Sequence, residues 1–140
     1  LSLAKSFPDS VSVKIGYDET LMHQIQAGAD IALIPSRYEP CGVNQMYAQR
    51  YGTPPIVHAT GGLKDSVVDA TPATLSAKTA TGFAFPALTG EDLLDACRRA
   101  AELFRSRRGW RQLQKNGMAR DFSWETAATQ YLDLYRTLLD

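Results

Sequence analysis

A short loop combines a cation, a carboxylate and a flexible glycine between a predicted strand and a predicted helix. Arg37, Glu39 and Gly42 fall within the segment Pro35–Gly42, and a helix is predicted to begin near Gly42 or Val43. The first turn of a helix presents unbonded N–H groups and a partial positive charge, which suit a phosphate. Glu39 would lie within reach of whatever that phosphate carries, and a carboxylate suits sugar hydroxyls or positive charge at a sugar carbon. By spacing alone, a solvated loop carboxylate is the commoner case.

The hydrophobic pattern around this loop alternates between strands and helices. Four short strands are predicted, at Val11–Ile15, Ile31–Ile34, Ile56–Val57 and Gly82–Phe85. Helices are predicted at about 21–29, 43–51 and 63–68, with 70–81 as an irregular loop. Three more helices are predicted at the end of the chain. Thr89 with Asp92 would cap the first of them and Ser123 the last. Trp110 and Trp124 are expected to anchor the last two helices by packing. This order predicts an α/β fold, a Rossmann-like parallel sheet with helices on both faces, ending in three helices.

The carboxyl ends of the predicted strands carry the polar and glycine-rich segments. These segments are Gly16–Asp18, Ser36–Asn44 and His58–Leu63. Ligands of open parallel sheets bind beyond the carboxyl ends of the strands, so these segments are the candidate site. Four strands are few for such a sheet, and further strands are therefore expected upstream.

Composition argues against several functional classes. The 140 residues hold 15 Lys plus Arg and 15 Asp plus Glu, and a net charge of zero argues against a broad nucleic-acid footprint. No apolar run approaches the roughly 20 residues that a membrane helix needs. The two cysteines and two histidines are scattered, so neither a disulfide framework nor a metal site is expected.

Several motifs follow one another in order along the chain. Ser36–Gly42 reads SRYEPCG, and the further motifs are Ile15–Tyr17 upstream and Gln45–Tyr47, Tyr51–Thr53, Thr60–Leu63 and Asp121–Trp124 downstream. Together they resemble the bacterial glycogen synthase and plant starch synthase family, from about residue 11 to the C-terminus. The resemblance makes Glu39 a catalytic candidate instead of an ordinary loop carboxylate.

The resemblance implies the C-terminal, donor-binding half of a GT-B fold, in which two Rossmann-like domains face a cleft. Residues 1–140 would form part of that domain, and the N-terminal domain would be absent. The family transfers glucose from ADP-glucose to the non-reducing end of an α-1,4-glucan, with retention at the anomeric carbon. The expected partners are this nucleotide sugar, the glucan and the N-terminal domain, with no cofactor, nucleic acid or membrane. The expected location is the bacterial cytoplasm or the plastid stroma.

The site residues are carried over from the family position by position. Glu39 matches the carboxylate at the donor glucose, where it would hold sugar hydroxyls and favour an oxocarbenium-like transition state. The other matched positions are expected to bind the donor: Tyr17 at the adenine, Cys41 and Gly42 around the glucose, the backbone amides of Gly42, Val43 and Asn44 at the phosphates, Tyr47 where related transferases place a ribose-binding Glu, and Thr60, Gly61 and Gly62 in the loop near the donor.

Two departures and two alternatives accompany this interpretation. Asn44 stands where many bacterial synthases have Thr, although either residue can cap a helix and bond a phosphate oxygen. The family's donor-phosphate Arg and Lys, and its Lys-x-Gly-Gly-Leu loop, have no match, so the chain alone is expected to be inactive. A related retaining transferase that uses a UDP-sugar would usually carry Phe at Cys41 and Glu at Tyr47. The second alternative is a non-catalytic module that binds nucleotide or glucan.

Overall fold

Three short strands form one parallel sheet in the computed structural model, which describes residues 2–139. Strand β1 spans Ala32–Ile34, β2 spans Pro55–His58 and β3 spans Phe83–Phe85, and they lie side by side in that order. Ile34 is opposite Val57, and His58 is opposite Phe85. All three strands therefore end at the same edge, and the prediction of a parallel sheet is confirmed.

Eight helices accompany the sheet within the described residues, and the three longest follow the last strand. They are α1 Ser2–Ser6, α2 Glu19–Gly28, α3 Asn44–Tyr51, α4 Gly61–Ser66, α5 Pro72–Ser76, α6 Gly90–Arg105, α7 Arg107–Met118 and α8 Trp124–Thr137. The predicted order of elements holds from α2 onward, except that α5 lies in the segment predicted as an irregular loop. A capping box between Thr71 and Thr74, with Pro72 in the first turn, starts that short helix.

The prediction of a strand at Val11–Ile15 is wrong. These residues pair with no strand in the structure, and Val13 and Ile15 are 46% and 74% exposed. A strand is held by hydrogen bonds to its neighbour, and β1 is an edge strand whose outer side is unpaired among residues 2–139. The alternating pattern is present, but the segment pairs neither with the open edge of β1 nor with another strand of residues 2–139.

Side chains from the two faces of the sheet enter two separate cores. On one face Ile56, Phe83 and Phe85 pack with residues from α6 and α7, including Ala96, Ala100, Trp110 and Leu113. On the other face Val57 packs with Leu63 and Val67, at α4. Alternate residues of a strand point to opposite faces, so one short strand such as β2 serves both cores. The prediction of helices on both faces is confirmed.

The last helix differs from the predicted packing. Trp110 is a buried anchor, as expected, but Trp124 is 82% exposed and its predicted packing role is wrong. No residue of α8 is buried, and Tyr131, Tyr135 and Leu138 on its apolar stripe are also exposed. Ser123 occupies the predicted N-cap position but makes no side-chain capping bond. The apolar stripe of α8 is present as predicted, but no other part of residues 2–139 covers it.

Arg99 on α6 ties the helix to the sheet. Its guanidinium bonds Asp69 at 3.0 Å and the carbonyl of Ala84 at 2.9 Å, and Asp69 in turn accepts the N–H of Ala84. We expect Arg99→Ala to lower the free energy of unfolding by about 2 kcal/mol, since a half-buried carboxylate loses its cation. Chemical denaturation measures this. Arg98→Ala, at the exposed neighbouring position, is the matched control; equal losses in both variants would contradict the assignment.

Candidate functional site

The loop after β1 lies at the carboxyl edge of the sheet and carries Glu39. This carboxylate is half-buried and accepts the Ser36 hydroxyl at 3.2 Å. At the end of β2, His58 Nδ1 is 2.8 Å from the carbonyl oxygen of Ser36. A carbonyl can only accept, so His58 donates from Nδ1. This bond joins the ends of two neighbouring strands through Ser36, the residue that also bonds Glu39.

The N-terminus of α3 follows this loop and is open. Val43 occupies the N-cap position without a side-chain cap, and the N–H groups of Val43, Asn44 and Gln45 bond to no other residue within 2–139. Asn44 is the first residue of the helix and not its cap, so the expected capping role of Asn44 is wrong. With no protein acceptor on these amides and no acidic residue in the first turn, the helix end is suited to an anion.

Glycines set the shape of the loop on two sides. Gly42 has a φ of +65°, and a Cβ there would lie 2.7 Å from the Gln45 side chain and 3.1 Å from Glu39 Cγ. At the start of α4, a Cβ on Gly61 would overlap the Glu39 carbonyl, and one on Gly62 would overlap the Cys41 carbonyl. The segment after β2 therefore rests directly on the backbone of the loop after β1, and the structure brings the two predicted segments together.

The two predicted aromatic residues occupy different surroundings. Tyr47 lies on α3, 40% exposed, with its ring edge-on to His23 at 5.2 Å. Tyr17 lies just before the N-cap of α2 and is 92% exposed. Among the described residues, no hydrogen bond or ring contact joins Tyr17 to the Glu39 loop. Cys41 is exposed beside Gly42, and Thr60 precedes α4 without capping it.

A groove of about 550 Å³ runs beside α3, opposite the segment that leads into α8. Val43, Met46 and Tyr47 line it from the helix. On the other side, Asp121 accepts the N–H of Ser123 and the hydroxyl of Thr126. The hydrogen bond from the Ser123 backbone, followed by side-chain bonds from Ser123 and Thr126, lowers the pKa of Asp121 below its ordinary value. The groove also has Arg50 and Arg120 in its wall, so it combines apolar residues near the open helix end with charges of both signs.

Sequence reasoning missed two buried glutamines on α3. Gln45 and Gln49 are 0% and 1% exposed, and both donate to Ser66 on α4. Polar residues on a helix are usually solvated, so their residue type gives no sign of burial. Their spacing of four residues, which puts both on one helical face together with the intervening buried Ala48, was the available signal.

Two absences hold for residues 2–139. No three His, Cys, Asp or Glu side chains gather there as metal ligands, and no helix in that range is long and apolar enough to cross a membrane.

An open parallel sheet with a carboxylate and an unbonded helix N-terminus at its carboxyl edge defines a Rossmann-like ligand-binding domain. The sequence profile described as glycosyl transferases group 1 matches residues 1–116. The chain belongs to this family.

Individual relatives agree with the resemblance seen in the motifs. The chain is 52% identical over 138 residues to a glycogen synthase of Nitrosomonas eutropha, covering 99% of the chain and 28% of that protein. It is 53% identical over 138 residues to a glycogen synthase of Thioalkalivibrio sulfidiphilus, covering 99% and 29%. The resemblance to the glycogen and starch synthases is confirmed, and the chain spans under a third of these relatives' length.

Solved structures match the fold. The catalytic domain of starch synthase IV from Arabidopsis thaliana, bound to ADP and acarbose, superposes with a TM-score of 0.85 at 38% identity. The match covers 97% of this chain and 28% of the other. A sucrose-phosphate synthase from Thermosynechococcus elongatus has a TM-score of 0.69 at 29% identity, covering 99% and 33%. The prediction of part of a GT-B glycosyltransferase fold is confirmed.

Proposed function

We propose that this chain is the donor-binding part of a synthase that transfers glucose from ADP-glucose to the non-reducing end of an α-1,4-glucan. One observation carries the proposal: the half-buried carboxylate of Glu39 lies in the same loop as the unbonded amides that open α3. A diphosphate at those amides would bring its sugar towards the carboxylate. The glycogen and starch synthases among its relatives support glucose as the transferred group.

Each predicted site residue has a role in this proposal. The amides of Gly42, Val43 and Asn44 would bind the diphosphate, and the partial positive charge of the helix end would stabilise it as it leaves. Glu39 would accept hydrogen bonds from the glucose and stabilise positive charge at its anomeric carbon. Cys41, Thr60, Gly61 and Gly62 would shape the pocket wall, with Tyr47 towards the ribose and Tyr17 towards the adenine. No metal or cofactor has a part in this scheme.

The rest of the site is proposed to lie in other parts of a longer protein. The leaving diphosphate needs more positive charge than a helix end supplies, and Arg37 is the single cation in the loop of residues 35–43. We therefore propose that an earlier loop of the same donor-binding domain supplies further cations, and that an N-terminal domain closes over the donor and contributes part of the glucan site. The proposed compartment is the bacterial cytoplasm or the plastid stroma.

Glucosyl transfer assays test this function. A full-length protein containing this chain is supplied with a malto-oligosaccharide and either ADP-glucose or UDP-glucose, and chain extension is measured. We expect kcat/KM for ADP-glucose to exceed that for UDP-glucose by at least about tenfold. The 140-residue chain, assayed in parallel, is expected to extend nothing. A lack of transfer by the full-length protein would refute the proposed activity, and turnover by the chain alone would refute its dependence on the rest of the protein.

A second candidate is a retaining transferase that uses a UDP-sugar, favoured by the similarity to sucrose-phosphate synthase at 29% identity. Cys41 and Tyr47 stand where such enzymes usually have Phe and Glu, which supports the ADP-glucose proposal instead. The same assay separates the two, because a UDP-sugar enzyme would give the opposite preference. A non-catalytic binding module would bind ADP without extending the glucan in either arm.

A further inference from the structure

The side chain of Gln45 connects the Glu39 loop to α4. Its Nε2 donates to the carbonyls of Cys41 at 3.3 Å and Gly42 at 3.0 Å, and to the hydroxyl of Ser66 at 3.0 Å. Ser66 in turn donates that hydroxyl to the carbonyl of Gly62. The Gln45 amide thus bonds the backbone of the loop after β1 directly. Through the Ser66 hydroxyl it is also connected to the backbone of the segment after β2.

Gln49 is a natural counterpart one helical turn away. It is equally buried, and its Nε2 donates to the backbone carbonyls of Gln45 at 3.2 Å and Ser66 at 3.1 Å. Both glutamines therefore join α3 to α4 through Ser66. Gln45 alone of the two also bonds the loop that carries Glu39. Substituting each glutamine in turn therefore distinguishes a loss of packing between α3 and α4 from a loss of the bonds that position the loop.

The burial of Gln45 has a cost that packing alone does not explain. The Oε1 of Gln45 is buried without a hydrogen-bond partner in the described residues, and an unpaired buried acceptor costs about 1–3 kcal/mol. The Oε1 of Gln49 is in the same state, so the two glutamines differ in their bonds to the loop and not in this cost. An apolar side chain of the same volume would fill the space without that cost. The compensating gain lies in the three acceptors that the two N–H groups of Nε2 share, two of which belong to the loop.

We propose that Gln45 is a positioning residue for glucosyl transfer: it fixes the Cys41–Gly42 backbone, and with it Glu39 and the open end of α3, relative to α4. Gly42 allows this bond, since a Cβ there would lie 2.7 Å from the Gln45 side chain. Ser66 carries the connection to Gly62. The inference rests on the proposed function of the same loop, and it assigns to Gln45 no contact with the substrate.

The test compares Gln45→Met with Gln49→Met in a full-length protein that contains this chain. Met has nearly the volume of Gln and no donor. For Gln45→Met we expect KM for ADP-glucose to rise about tenfold and kcat to fall about tenfold, because both the phosphate-binding amides and Glu39 are displaced. For Gln49→Met we expect both constants to stay within about threefold, because no loop bond is lost.

Each outcome has one meaning. A purely structural role would reduce the amount of folded enzyme and leave KM unchanged, so unchanged KM in Gln45→Met, or equal changes in both variants, overturns the inference. If Gln45→Met yields no folded protein, Ser66→Ala decides: it removes the shared hydroxyl and should raise KM about threefold or more, and an unchanged KM refutes the connection. Absence of transfer by the unsubstituted protein would instead refute the proposed function.

Discussion

Replacing Glu39 by Gln should lower kcat for glucosyl transfer from ADP-glucose on the order of 1000-fold, the loss typical of removing one group that stabilises charge in a transition state. Gln keeps the shape of the side chain and its ability to accept the Ser36 hydroxyl, which now lies 3.2 Å from the carboxylate. The negative charge is lost. Because that charge acts on the transition state, kcat and kcat/KM should fall together, with KM little changed.

The control for this variant is Glu91→Gln, which removes an exposed carboxylate from the first turn of α6. Steady-state kinetics in a full-length protein, with thermal unfolding to verify folding, measure both variants. A Glu39→Gln enzyme that retained kcat within about threefold would remove Glu39 from the mechanism. Unfolding at a much lower temperature would assign the loss to structure instead.

Replacing Gly62 by Ala should lower both stability and activity. The new Cβ would overlap the Cys41 carbonyl oxygen and lie 2.7 Å from Cys41 Cα. The neighbour is backbone and cannot rotate away, so either α4 or the loop must move. Such overpacking costs about 1–3 kcal/mol in the free energy of unfolding. Displacement of the loop by about 1 Å should also lower kcat/KM on the order of 100-fold.

Gly28→Ala is the matched control for this substitution. Gly28 ends α2, has no atom within 4 Å of a built Cβ and does not have a positive φ. It should leave activity unchanged and stability equal or higher by about 0.5 kcal/mol, because Ala restricts the unfolded chain. Urea unfolding and kcat/KM for ADP-glucose are measured for both. Wild-type behaviour of Gly62→Ala would mean that the two segments are not in fixed contact.

The part of the site that local chemistry defines was predictable from sequence. A continuous apolar run ended by Pro35 predicts a strand buried on both faces, and the residues after it must lie at the carboxyl edge of a parallel sheet. Glu39 and the open end of α3 follow from this. The strand is present, but it is an edge strand and Leu33 is 50% exposed, so its predicted burial is wrong. Naming Glu39 as catalytic, or Tyr17 and Tyr47 as donor-binding, came from family motifs, and those roles remain predictions.

The rest depended on contacts between residues distant in sequence. Val11–Ile15 has the alternation of a strand, but a strand also needs a partner, which no local pattern reveals. Gln45 has the residue type of a surface position, and its burial comes from the contact with Ser66 of α4. Trp124 has the same apolar character as Trp110, yet one is exposed and the other buried. Whether a side chain is buried depends on which distant segments pack against it, and the local sequence does not reveal those segments.

The contrast between the two tryptophans gives the protein a built-in optical reporter. Indole emission shifts to longer wavelength in water, so buried Trp110 should emit at shorter wavelength than exposed Trp124 within one overlapping spectrum. Heat or urea that opens the main core should shift the Trp110 contribution to longer wavelength. A ligand, antibody or neighbouring domain that shields α8 should shift the Trp124 contribution to shorter wavelength. Fluorescence can therefore follow folding and surface coverage separately, without an added dye.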